Sequence, residues 1–145
     1  MTIVLRMRRL RLADYDAMIR LFQVCGLNPR TKGRESRAAI AAQLRTTRNR
    51  YLGAFDGARL IGTVLGTHDG RKGWINRLAV HPEYRRRQVA SRLVRLCERG
   101  LREQGIQIFA ALIEPENSAS EAVFRGLGYE IHPMLYARRK IHAGV

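Results

Sequence analysis

Cysteine, proline and lysine are all scarce in this chain. The 145 residues include two cysteines and four prolines, and lysine supplies only three of the 27 basic residues. Cys25 and Cys97 fall inside helical patterns and read as small buried hydrophobes, which excludes a disulfide framework. Four scattered histidines show no metal-ligand spacing, so no metal is expected. No apolar run approaches the roughly 18 residues a spanning helix needs. Met1 to Arg6 also lacks the apolar region of a secretory signal, so a cytoplasmic protein with no membrane partner is expected. Acids are few as well: 12 against 27 bases, for a formal net charge of +15. That balance is the footprint of a nucleic-acid binder. The arginines, however, are scattered through every segment, as codon usage in a GC-rich genome would scatter them. No aromatic residues interleave with them as a stacking platform would require. The charge argues against specific nucleic-acid recognition and for a general attraction to anions.

What remains is an ordinary globular composition, 46% hydrophobic and 27% charged, in a length that suits one domain over residues 1–145. Ile3, Leu5 and Met7 alternate with Val4, Arg6 and Arg8 as a first strand. Ala17, Met18, Leu21, Phe22 and Cys25 follow helical spacing, stopped by Gly26 and Pro29. A polar loop from Asn28 to Gly33 separates that helix from a second, over Glu35 to Arg45. Tyr51–Phe55 and Leu60–Thr67 form a hairpin about an Asp56-Gly57 turn. Asp69 to Gly73 then leads into a strand from Trp74 to Val80. Val89, Leu93, Leu96, Cys97 and Leu101 make one stripe of a helix that ends at Gly105. Ile106–Ile113 reads as a central strand, Ser118–Leu127 as a short helix, and Tyr129–Arg139 as one or two closing strands. The order predicts a mixed α/β sheet, mostly antiparallel, with helices on both faces and one parallel pair joined by a right-handed crossover.

The densest signal lies between the Trp74–Val80 strand and the helix after it. Arg85-Arg86-Arg87-Gln88-Val89-Ala90-Ser91 is a basic turn that opens a helix immediately. Unpartnered N–H groups and the positive end of the helix dipole make such a start a cradle for phosphate. Further on, Asn117-Ser118-Ala119-Ser120-Glu121-Ala122-Val123-Phe124 is followed by Gly128-Tyr129, and Asn117 reads as the cap of the helix it precedes.

In order and at this spacing, the two segments resemble the paired hallmarks of the GNAT superfamily of acyl-CoA-dependent N-acyltransferases. These are Arg/Gln-x-x-Gly-x-Gly/Ala and Asn-x-x-Ala-x-x-x-Tyr-x-x-x-Gly-Phe. The likeness runs over nearly the whole chain and is greatest to small bacterial members of the YpeA-like type. It implies a GNAT-like fold whose parallel strands splay apart, with acetyl-CoA as cosubstrate and its pantetheine arm in the gap. Backbone groups of Leu78, Ala79 and Val80 would bond that arm, Arg85 to Ser91 would hold the pyrophosphate, and Asn117 would help fix the pantetheine region.

Two positions depart from the family pattern. Gln88 replaces a glycine, which would crowd the cradle on a helical residue of ordinary negative φ. Phe124 stands where many members carry the tyrosine that protonates the leaving thiolate, so either Tyr84, Tyr129, Tyr136 or water serves instead, or the chemistry is slow. The glutamate used as base in the RimI type corresponds to Leu112 here. Glu114, two residues on and about 7 Å further along a strand, is the best remaining candidate, with Asn76, His68 and Asp69 as others facing the acceptor. His81 and His132 read as structural or solvent-facing. The acceptor would be a small-molecule amine or a protein or peptide amine, bound by the Asn28–Arg34 loop, the first two helices and the last strands. A homodimer is compatible with this reading. Two rival readings stand beside it: a weakly active or inactive acyl-CoA-binding or regulatory module, and a basic nucleic-acid-associated protein.

Overall fold

Buried, mostly apolar runs in β2 and β3 build strands covered on both faces, and 3.6-residue periods build the helices that cover them. The computed structural model describes residues 3–46 and 50–145. Strand β1 (Arg6–Arg9) leads through a short 3-10 turn into α1 (Tyr15–Val24) and α2 (Arg37–Arg45). Strands β2 (Arg50–Asp56), β3 (Arg59–His68) and β4 (Gly73–Val80) form a meander. Then come α3 (Val89–Glu103), β5 (Phe109–Ala111) and α4 (Ser118–Gly126). The sheet order is β1-β2-β3-β4-β5, antiparallel except for the β4–β5 pair.

Each face has its own core. Leu52, Val64 and Ile75 face Leu93, Cys97 and Leu101 of α3 and Phe124 of α4. On the other face Tyr51, Phe55 and Ala79 pack with Met18 and Phe22 of α1 and Ile40 of α2. The hairpin turns one residue later than expected. Asp56 pairs with Arg59, so Gly57 and Ala58 form the loop, and Gly57 takes the φ of +59° such a turn requires.

Two expected elements differ. The strand foreseen over Ile106–Ile113 shrinks to Phe109–Ala111 and lies at the edge of the sheet, not its centre. Ile106 is drawn back toward α3, its amide donating to the Leu101 carbonyl. Beyond Ala111 the strand loses its partner, because β4 bulges away from it. The closing strands foreseen over Tyr129–Arg139 do not form; that segment carries no strand. It contains Pro133, which has no N–H to donate to a ladder. Tyr129 and Ile131 still pack on the core, but the apolar side chains beyond them are left in solvent: Met134 is 87% and Leu135 101% exposed. The chain's end packs instead on the loop after α1, where a Cβ on Gly33 would meet the Gly144 carbonyl oxygen at 2.6 Å.

Candidate active site

The gap between β4 and β5 begins at one residue. Gly73, Trp74 and Ile75 pair with Phe109, Ala110 and Ala111, and the pairing stops there. On the other side of β4, Leu65 faces Asn76 and Thr63 faces Ala79, so β4 holds one extra residue across that step. This is a β-bulge, which bends its strand. Arg77 occupies it in the left-handed region at φ +50°, and its carbonyl accepts a bond from the Thr63 hydroxyl at 2.9 Å. Asn76 to Val80 therefore have no strand partner on the β5 side. Leu78 and Val80 are half-buried toward the α3 face, and Ala79 is buried on the other.

A buried ion pair secures the bulge. The Arg77 guanidinium donates to Glu35 Oε1 at 2.6 Å and to the Leu27 carbonyl at 3.4 Å. Glu35 is 2% exposed. The same Glu35 oxygen accepts the Arg30 amide at 2.9 Å, while the other, Oε2, is buried without a partner among the described residues. Sequence reasoning took Glu35 as the start of a helix and passed over Arg77. The one available signal was an arginine interrupting the apolar run Trp74–Val80.

Beyond the gap, Pro82–Tyr84 form a 3-10 turn, Arg85 to Gln88 are exposed, and α3 follows. Gln88 is the N-cap of α3 with φ +59°, and no side chain caps the helix. Arg86 is left-handed too, at φ +64°. The expected ordinary negative φ at Gln88 is thus corrected: the position is one where glycine is at ease and an L residue is strained. Val89, Ala90 and Ser91 occupy the first turn, where amides have no intrahelical partners. Arg85 turns back to the strand, its Nε donating to the Val80 carbonyl at 3.3 Å, which also accepts the Cys25 thiol at 3.4 Å. Burial pushes the Cys25 thiol above its ordinary range, only partly offset by the Arg85 charge. The other thiol, Cys97, is buried beneath α3 and pushed up to about 12 by desolvation.

The remaining candidates separate clearly. Asn117 caps α4, its Oδ1 accepting the Ser120 amide at 3.1 Å. Phe124 is 3% exposed and meets the Tyr129 ring edge-on at 4.9 Å between centroids. Of the alternative acids, Tyr129 donates to Glu98, and burial together with that carboxylate raises its pKa. Tyr84 donates to Asp56, a bond that holds its proton more tightly than usual. Tyr136 is exposed on the tail. Glu114 is exposed and lies past the end of β5, so it shares no strand face with Leu112.

His68 and Asp69 do not face the gap. His68 bonds Gln104 and accepts the Gly70 amide, while Asp69 accepts the Arg71 and Lys72 amides, all at the opposite end of β4. Asn76 sits where the gap opens. His81 accepts the Glu83 amide within the 3-10 turn, and His132 lies against Glu130 on the surface. Among the described residues no cluster of ligands could hold a metal ion, and no helix is long and apolar enough to cross a membrane.

A five-stranded mixed sheet with a parallel pair that parts beside an uncapped helix start defines an α/β protein. The chain belongs to the acetyltransferase (GNAT) family, whose model matches residues 8–129. Curated relatives include an acetyltransferase of Photorhabdus laumondii, 29% identical over 127 residues and covering 87% of each chain. An acetyltransferase of Pectobacterium atrosepticum is 27% identical over 126 residues, 87% of this chain and 88% of its own. Among solved structures, the PaiA N-acetyltransferase of Thermoplasma acidophilum in complex with coenzyme A superposes with a TM-score of 0.79. It is 18% identical and covers 89% of this chain and 91% of its own. The aminoglycoside N-acetyltransferase AAC(6')-Iy, also in complex with coenzyme A, gives a TM-score of 0.77 at 20% identity and 96% coverage of both chains.

Proposed function

We propose that this protein, acting in the cytoplasm, transfers an acetyl group from acetyl-CoA to a primary amine by direct attack on the thioester. The observation that carries the reading is the conjunction of the β4–β5 gap with the uncapped start of α3. The gap leaves Leu78, Ala79 and Val80 without a strand neighbour on the β5 side, where a pantetheine arm would lie, in competition with Arg85 and Cys25 at the Val80 carbonyl. The open amides from Gln88 to Ser91, flanked by Arg85, Arg86 and Arg87, offer donors and positive potential to a pyrophosphate. Asn117 fixes the start of α4 and with it one wall of the gap, and Phe124 packs behind it. Glu114, or a water it orders, would take the amine proton. With every candidate tyrosine either engaged or exposed, water is the donor to the leaving thiolate. Positioning and backbone polarisation of the carbonyl would then supply most of the rate.

The acceptor side is cationic. The end of the tail brings Lys140 and Arg138 to Arg30 and Arg34, and partial burial together with these charges lowers the Lys140 pKa. Such a rim repels a polycation, so a neutral or acid-bearing amine, small or on a peptide, fits it better than an aminoglycoside. Exposed apolar surface on the tail and at the free edge of β5 is where a homodimer would form.

The test is thermal stabilisation by acetyl-CoA, followed by thiol release across a panel of amines. A ligand bound only by the folded state adds about 2.7 kcal/mol at a hundredfold excess over its dissociation constant. No shift at millimolar acetyl-CoA would overturn the reading, and binding without turnover on any amine would favour an acyl-CoA-binding module.

A further inference from the structure

At the far edge of the sheet from the β4–β5 gap, α3 and the first two strands enclose a recess of about 250 Å³. Its lining is divided by chemistry. Met7, Leu52 and Leu96 contribute apolar surface, and Arg9, Arg50 and Arg99 contribute guanidinium groups, with Glu103 as the one carboxylate. Arg8 also borders it, but its guanidinium is committed to Asp14. None of Arg9, Arg50 and Arg99 has an ion-pair partner among the described residues.

Arg50 is the centre of the recess. Its Nε is buried against α3 with no hydrogen-bond partner among the described residues, which leaves the terminal nitrogens of the guanidinium to meet a ligand. Its side chain lies across α3 at Gly100, where a Cβ would stand 2.5 Å from Arg50 Cδ and 2.8 Å from Cζ. A glycine inside a 15-residue helix lowers helix stability relative to alanine. Here it is what lets Arg50 lie flat on the helix beside the recess.

We propose that this recess binds a small organic dianion. Its compact apolar body would rest on Met7, Leu52 and Leu96, and its two negative groups would be held by Arg50 and by Arg99 with Arg9. Bidentate guanidinium contacts favour planar carboxylates in such a place. The site stands on the opposite edge of the sheet from the acyl-CoA gap and does not depend on it.

The probe is phthalate, titrated while the side-chain Nε–H signals of Arg50 and Arg99 are followed by NMR, with coenzyme A present to occupy the α3 cradle. Saturable shifts of both signals at millimolar phthalate are expected, with none for benzyl alcohol. Arg99→Gln should weaken binding by about tenfold, the effect of one charge-assisted bond. Gly100→Ala should weaken it at least as much by displacing Arg50, and if that variant does not fold, the exposed Arg99→Gln decides alone. The proposal fails if the Arg50 signal does not saturate, if benzyl alcohol moves it equally, or if Arg99→Gln leaves the dissociation constant unchanged. Because both reporters belong to the recess, the outcome is independent of whether the α3 cradle takes acetyl-CoA.

Discussion

The starts of α3 and α4 carry the two motifs, and they are built in opposite ways. α4 is closed: Asn117 accepts the Ser120 amide, and its own amide is held by the Glu114 carbonyl at 2.9 Å. α3, the longer helix, is open: its N-cap is a strained glutamine that caps nothing, preceded by a second left-handed residue at Arg86. Each left-handed L residue costs about 1–2 kcal/mol, and a missing cap about 1 kcal/mol. A sequence optimised for stability alone would not combine them. The difference separates a helix start closed by its own residues from one left open, as the proposed pyrophosphate site requires, where both segments read equally well as helix beginnings.

The largest effect is expected at the support beneath the open end. Glu35→Ala leaves the Arg77 guanidinium half-buried and unpaired at the bulge, and should cost about 3–5 kcal/mol in a denaturant titration. Glu35→Gln keeps an acceptor for Arg77 and should cost less. Acetyl-CoA affinity should fall with the bulge in both, and equal stability of Glu35→Ala and the parent would show that the pair does not hold it.

A third start offers the next test. Before α1, Asp14 accepts two bonds from Arg8, at 2.8 and 3.0 Å, and one from the Arg11 amide. The Arg8 bonds, ahead of the Arg11 amide, hold the Asp14 carboxyl below the usual carboxylate range. A depressed folded pKa gives stability that is fully present above the unfolded value, near 4, and is lost as pH falls through the folded one. Asp14→Asn should cost about 1.5–3 kcal/mol at neutral pH and flatten the acid limb of the stability curve. An unchanged slope below pH 4 would assign that limb to other carboxylates.

Asn117→Ala should lower stability by about 1 kcal/mol, and Asn117→Asp, which keeps a capping oxygen, should restore it. If the closed end only shapes the wall of the gap, the Asp variant should also bind acetyl-CoA as the parent does, read by calorimetry. The smallest change is expected for Gln88→Gly. Relief of the left-handed strain is offset by glycine's greater unfolded-state freedom, for a net gain of up to about 1 kcal/mol. Acetyl-CoA should bind more tightly once no side chain stands at the cradle. Weaker binding would make the Gln88 amide a ligand of the phosphate.

Much of the frame was legible because its signals are local. The hairpin follows from Asp56-Gly57 between two strand-length segments, and α3 follows from the stripe through Leu93, Cys97 and Leu101. The cap role of Asn117 follows from its place ahead of a helical period. The place of the open helix start was legible too, since the arginine turn lies between the Trp74–Val80 strand and the α3 stripe. Glu35 and Arg77 were not legible: they lie 42 residues apart and each looks ordinary among its neighbours. The strained φ at Gln88 was missed because a position just before a helix and one just inside it have the same sequence pattern but different dihedrals.

The residues by themselves determined the helices, the meander, the family hallmarks and the strongly basic surface, since periodicity, turn chemistry and charge are properties of short segments. Tertiary structure alone decided where β4 and β5 part, that β5 is a three-residue edge strand, and that Tyr129–Arg139 forms no strand. A strand exists only while its amides and carbonyls find partners. Whether they do depends on a bulge at Arg77 pinned by a carboxylate from the other side of the sheet, which no window of sequence contains.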